Sequence, residues 1–416
     1  MTSIPKLSII VTSYNVQDYI AEALESILGQ SLGEIEVIVV DDGSSDGTVD
    51  IIKSFADLDD RIKPILFEEN TIGGVASAAN AGLEVATGEY IGFADGDDVY
   101  DSEMFGKMYR AAVKHDADLA MCQFMLQNTI TGERYDSDDR KNWARIETIT
   151  PMVLDEQGRK DILAFSPVPW RKIYRGDMVR SRNLRFPVGD YFFEDNPLHW
   201  ASVLSADSIV LLPEVLCYHR MARPGQTMSN VGPGLFKLFR HHDNIRTWLI
   251  ENDRTEFMPL LLEWVAKQNA WISERAADED IGLLLAEIHP IVAQYDDADI
   301  QALGFGKEGR THQMLVAARA NDEQGFLQAA RSGKKKAPAP SKHSTKASEP
   351  APRVDLEDIY FALMLLQKRL DGLEGKVDAQ ARATQKLLEA VENATGGAPE
   401  GRGANPIAGL LRRMKA

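Results

Sequence analysis

The 416-residue sequence predicts an α/β fold: a mainly parallel, Rossmann-like sheet flanked by helices, followed by a helical region and a C-terminal coiled-coil helix. Three observations predict it. Apolar runs of strand length alternate with helical spacings over the first hundred residues. Acidic, glycine-containing turns end two of those runs. Near the C-terminus, apolar residues recur alternately three and four apart. Near-continuous apolar strands alternating with helices require a parallel sheet covered on both faces.

Leu7–Val11 is a β-branched run of strand length, and Ile20, Ala23, Leu24, Ile27 and Leu28 then recur at helical spacing, with Asp18 as the expected N-cap. Glu36–Val40 reads as a second strand, stopped by Asp41-Asp42-Gly43-Ser44-Ser45-Asp46-Gly47. A helix is expected from Thr48 to Phe55, a strand from Ile62 to Phe67, a helix from Val75 to Ala86 and a fourth strand from Tyr90 to Ala94. From Pro151 to Met228 the pattern is mixed and aromatic, and from Leu235 to Ala330 it is helical. Ser332–Arg353 has a linker's composition, beginning with three lysines and continuing in Ala, Pro, Ser and Lys. Leu356, Ile359, Leu363, Leu366, Leu370, Leu373, Val377 and onward to Val391 form the seam of a coiled coil, with Gln380 and Thr384 as polar interruptions. The expected domains are therefore 1–232 catalytic, 233–331 helical accessory, 332–353 linker, 354–394 coiled coil and 395–416 tail.

Asp and Glu outnumber Lys and Arg 63 to 46, a formal charge of −17, which argues against a nucleic-acid partner because phosphate backbones want a basic face. It leaves a nucleotide open, since a divalent cation bridges acidic side chains and a diphosphate. The two cysteines, Cys122 and Cys217, lack metal-ligand spacing and read as buried thiols of a reducing compartment. No secretory signal or transmembrane run is visible, so the expectation is a cytoplasmic protein. The short, basic, amphipathic tail Leu410–Lys415 reads as a frayed terminus, with peripheral contact at the inner face of a membrane as the alternative.

In open α/β sheets ligands sit beyond the carboxyl ends of the strands, where both acidic turns fall. The carboxylates of Asp41 and Asp42 can accept hydrogen bonds from a base or ribose hydroxyl, although alone such a sequence is only a turn. Asp95-Gly96-Asp97-Asp98 can converge on one hard cation, Mn²⁺ or Mg²⁺, that also takes phosphate oxygens. Glu194 and Asp195, flanked by Tyr191-Phe192-Phe193, are expected to be partly desolvated and hence better proton acceptors. Arg220 and Arg223, on a Gly-containing segment with His219 as a further candidate, suit a phosphate clamp.

Together these segments resemble the family-2 glycosyltransferases, which have the GT-A fold. The resemblance is carried by Ser8–Asn15, Val39–Thr48, Asn80–Leu83, Ala86–Ile91, Phe93–Asp98 and Phe193–Asp195, in that order, over about the first 230 residues. It implies that Thr12, Tyr14, Asn15, Asp42, Asn80 and Asp95 meet the donor nucleotide, commonly uridine. It also implies that Asp97 with Asp95 binds the metal, with Asp97 the better ligand. Asp195 resembles the family's catalytic base, with Glu194 beside it, and Trp170 lies in a segment similar to the acceptor side of such enzymes. One departure is Ala79, where the family often has Arg.

The expected function is an inverting transfer of sugar from a nucleotide-diphosphate donor to a hydroxyl of a glycan, lipid-linked or protein acceptor, by a homo-oligomer held through its coiled coil. A nucleotidyltransferase is disfavoured because Thr12–Asp18 has no basic residue to hold a triphosphate. A non-catalytic scaffold is disfavoured by the survival of all three acidic elements.

Overall fold

The computed structural model describes residues 4–221 and 232–332. Arg223, the coiled-coil segment and the basic tail lie outside the described residues. The strands are β1 (Leu7–Ser13), β2 (Ile35–Asp41), β3 (Ile62–Leu66), β4 (Tyr90–Asp95), β5 (Val99–Tyr100), β6 (Leu119–Asn128), β7 (Arg134–Asp136), β8 (Thr150–Pro151), β9 (Lys172–Arg175) and β10 (Ile209–Met221). They form one sheet in the order β3-β2-β1-β4-β9-β6-β10-β5, with β7 on β6 and β8 on β10.

The fold class is the expected one, with antiparallel additions. The β2–β3, β1–β2, β1–β4 and β6–β10 ladders are parallel and long. The antiparallel ladders span only two or three residue pairs each, and two of them let β9 join the β4 and β6 halves. β1 and β2 are buried along their whole length, which explains their unbroken apolar runs. One apolar core lies on each face of the sheet, one centred on Ile9, Val37 and Phe105, the other on Ile10, Ile38 and Phe93. Helix Ile20–Leu28 buries Ile20, Ala23, Leu24 and Ile27 against the first. It is not capped by Asp18: the helix begins at Ile20 after Tyr19, and backbone bonds from Tyr19 and Ile20 to the Val16 carbonyl, both 2.9 Å, close the entry turn instead.

One acid is buried within the sheet. Glu36 on β2 accepts bonds from the Ser8 hydroxyl (2.5 Å) and from the Thr87 amide and hydroxyl (2.8 Å each), and pairs with Lys63. Burial would raise its carboxyl, but these donors outweigh burial and hold it below the usual range. Residues 232–332 are helical, built on a third core that includes Phe239, Leu262, Leu284 and Phe326, with Phe192 and Phe193 packed against it. Cys122 and Cys217 are buried free thiols on adjacent strands. Among the described residues no helix is long and apolar enough to cross a membrane.

Candidate active site

The parallel register aligns Ser13 with Asp41 and Thr12 with Asp95, so β1, β2 and β4 deliver their carboxyl ends to one edge. At that edge the loop after β1 and the turn after β2 are tied together. The Asn15 amide donates to Ser44 Oγ (2.8 Å), the Ser45 amide to Asn15 Oδ1 (2.8 Å), and the Gln17 amide to Asp46 (3.1 Å). Asn15 adopts φ 50°, a conformation Asn tolerates better than most residues. Asp41 accepts from Ser13 and Ser44 and is the turn's internal brace. Asp42 accepts from the Thr71 amide (3.1 Å), the Thr71 hydroxyl (2.8 Å) and Asn70 Nδ2 (2.8 Å). Burial still pushes its carboxyl up despite those bonds. Gly43, at φ 75°, passes so close to residue 69 that a Cβ would lie 2.3 Å from the Glu69 carbonyl carbon, which fixes glycine there. Tyr14 stays 46% exposed at the rim.

After β4 the chain makes a tight turn in which the Asp98 amide donates to the Asp95 carbonyl at 3.1 Å. A β-turn brings its first and fourth residues together. Asp95, Asp98 and His219 have ligand atoms within 4.8 Å of one another, and Asp97 is not in that set. Asp98 is buried; it meets His219 Nδ1 at 2.8 Å and accepts the Arg220 amide at 2.8 Å. Burial pulls the His219 imidazole down, but Asp98, with Asp97 and Asp95, outweighs it and holds the group at about 9. Arg220 donates through Nη1 to the Asp97 carbonyl (3.0 Å) and pairs with Glu22, so it braces this turn.

Trp170, which the resemblance places on the acceptor side, is enclosed. Only 4% of it is exposed, and its ring stacks on His219 (centroids 5.2 Å apart, planes 13° apart) and meets Phe124 edge-on. It supports His219 and presents almost no surface to an acceptor. Asn80 stands apart as well. Its amide donates to the Phe186 carbonyl (2.8 Å) and accepts the Phe186 amide (3.0 Å), fixing the segment that leads to Glu194.

Glu194 directly precedes helix Asp195–Ser205, and Phe193 before it sits at φ 66°, a costly backbone for an aromatic residue. Burial, with the Asp195 charge beside it, pushes Glu194 up to about 7. Burial pushes Asp195 up to about 6 against the opposing charge of Lys172 and the bond from Asn196 Nδ2 (3.1 Å). Asn196 is itself fixed by Trp264 Nε1 at 3.2 Å, so the helical region takes part in setting Asp195. Residues 170–172 bear on both centres: Trp170 backs His219, and the charge of Lys172 opposes the burial of Asp195. Lys172, His199 and the buried Arg171–Asp139 pair carry no motif in the sequence; each meets its partner only through the fold.

This is the architecture of the GT-A fold. S. aureus TarS 1–349, in a crystal structure in complex with UDP-GlcNAc, superposes with a TM-score of 0.65 at 23% identity over 78% of this chain and 90% of that one. Residues 8–173 match the family described as Glycosyl transferase family 2. Among curated relatives, the uncharacterized glycosyltransferase EpsJ of Bacillus subtilis is 34% identical over 223 residues, 52% of this chain and 61% of its own length. Glycosyltransferase GlyA of Streptococcus pneumoniae is 30% identical over 223 residues, 52% of this chain and 31% of its own length. The chain thus spans less than two thirds of these relatives.

Proposed function

We propose that this chain is an inverting glycosyltransferase that moves a sugar from a nucleotide-diphosphate donor, first of all a UDP-sugar, to an acceptor hydroxyl. The observation that carries the proposal is the pairing of two acidic centres through residues 170–172, one beyond β4 and one at the start of helix Asp195–Ser205. Asp195, desolvated and poised near neutrality, takes the proton of the acceptor hydroxyl. That oxygen attacks the anomeric carbon opposite the diphosphate, the diphosphate leaves, and the configuration inverts. The carboxylates of Asp95 and Asp98 supply the oxygen donors that Mn²⁺ or Mg²⁺ prefers and would hold it, with His219 joining them on losing its proton. Such an ion supplies charge stabilisation to a departing diphosphate. Thr12, Tyr14, Asn15 and Asp42 border the nucleotide in this reading, and the UDP-GlcNAc carried by TarS supports testing uridine first.

The test is titration of UDP into wild type with and without Mn²⁺, repeated on Asp95→Asn. Metal-dependent binding weakened at least about tenfold by the substitution is the expected result. A folded wild type that binds no nucleoside diphosphate with metal would sink the proposal.

Oligomerisation through 354–394 and work at the inner face of a membrane, on a glycan, lipid-linked or protein acceptor, belong to the same proposal. Light scattering of the full chain should give a multiple of 46.1 kDa, falling to the monomer mass when residues 354–416 are deleted. A monomeric full chain refutes that part alone.

A further inference from the structure

Two ionisable side chains lie buried beside Asp195 with no place in the reaction above. Lys172, at the start of β9, is fully buried and donates through Nζ to the Pro167 carbonyl at 2.7 Å. The same Nζ lies 3.1 Å from Nδ1 of His199, which is 2% exposed. His199 follows Asp195 by four residues in one helix, a spacing that puts both on the same face, and His199 meets Lys172 there. A lysine is almost never fully buried unless paired, and neither the Pro167 carbonyl nor a neutral imidazole supplies a counter-charge.

We propose that Lys172 is a positioning residue for Asp195: clamped by the Pro167 carbonyl and His199, it is the fixed counter-charge that keeps the Asp195 carboxylate ionised in a dry pocket. The effect is mutual. Burial, reinforced by Arg171, drives the Lys172 ammonium well below its usual range, while Asp195 and Asp139 pull it back up. Lys172 in turn opposes the burial that raises Asp195. His199 is driven well below its usual range by burial, with Lys172 and Arg171 adding to it, so it is neutral and free to accept at Nδ1. The other ionisable groups around Asp195 do not replace Lys172. Glu194 repels it, and Tyr174, buried on the same strand, is pushed far up by burial and stays neutral. From the flanking helices, His241 is engaged with the Phe192 carbonyl (2.8 Å) and Arg159 with the Val203 carbonyl (2.6 Å), while Trp264 reaches only Asn196.

The proposal rests on Asp195 being the base of the reaction, but its test does not need substrate. The carboxylic-acid carbonyl band that appears on acidification of the full chain, and that Asp195→Asn lacks, reports the Asp195 midpoint by infrared difference spectroscopy. In Lys172→Met that midpoint should rise by at least about one unit, the scale of a lost neighbouring opposite charge. The acid limb of kcat/KM for a UDP-sugar should move up equally, with the rate recovering at higher pH, which a merely structural lysine would not produce. Should Lys172→Met fail to fold, His199→Leu, which removes the acceptor holding Nζ, should shift the band in the same direction. An unmoved midpoint in the folded variant overturns the proposal. A shifted band in a chain whose Asp195→Asn variant still transfers sugar would uphold the pairing and refute the base.

Discussion

Replacing Asp195 with Asn should lower kcat for sugar transfer by about 10²–10⁴-fold, the usual contribution of a general base, while UDP binding persists. The thermal midpoint should hold or rise. Asp195 has an ordinary value of 3.8 and is raised to about 6, so its protonated form favours the folded state. That contribution is complete below the ordinary value and is lost as pH climbs through about 6. At neutral pH the carboxylate is therefore a burden on the fold, and Asn removes the charge while keeping the shape. In wild type the same shift makes kcat/KM fall as pH drops through about 6. A variant with full turnover, or one that loses activity only because it melts, would remove Asp195 from the mechanism.

The edge where β1, β2 and β4 end was readable because each strand is an apolar run stopped by polar residues, and parallel neighbours share a register. The strands at the other half were not. β10 carries two register shifts, between Leu212 and Val215 and between Val215 and Cys217, so its alternation breaks, and β9 is only four residues long. In the acidic turn, alternating acids suggest Asp95 with Asp97, and the Asp98-to-Asp95 backbone bond brings Asp98 beside Asp95 as well, which spacing does not announce. The polar atoms of Asp42 and Asn80 meet Thr71, Asn70 and the Phe186 backbone, partners no local pattern announces. Lys172 and His199 lie 27 residues apart in sequence, and only the fold joins them.

Arg171→Met should cost about 3–5 kcal/mol of stability, because it strands a buried carboxylate. Arg171 is wholly buried and meets Asp139, itself nearly so, at 2.5 Å. Its Nη2 also donates to the Ser166 carbonyl at 2.7 Å. Among the described residues Nε and Nη1 have no hydrogen-bond partner; the guanidinium instead packs on Phe124, Trp143 and Phe165 at 5.0–5.8 Å. Burial tends to raise Asp139, but Arg171, with the Ser166 amide and the Ser137 hydroxyl, outweighs it and holds the carboxyl below its usual range. The pair's contribution is thus present above the ordinary carboxylate pKa and fades as pH falls through the lowered one. The pair itself is a modest stabiliser, since desolvation of both charges offsets much of their attraction. What costs most is breaking it from one side. Adding Asp139→Asn to Arg171→Met should therefore recover most of the loss, because Asn removes the charge while its Oδ1 accepts the Ser166 amide and its Nδ2 donates to the Ser137 hydroxyl, which can turn to accept. Urea midpoints of the two single variants and the double variant give the coupling directly. If Arg171→Met alone costs less than about 1 kcal/mol, the pair is no brace for the strand that carries Lys172.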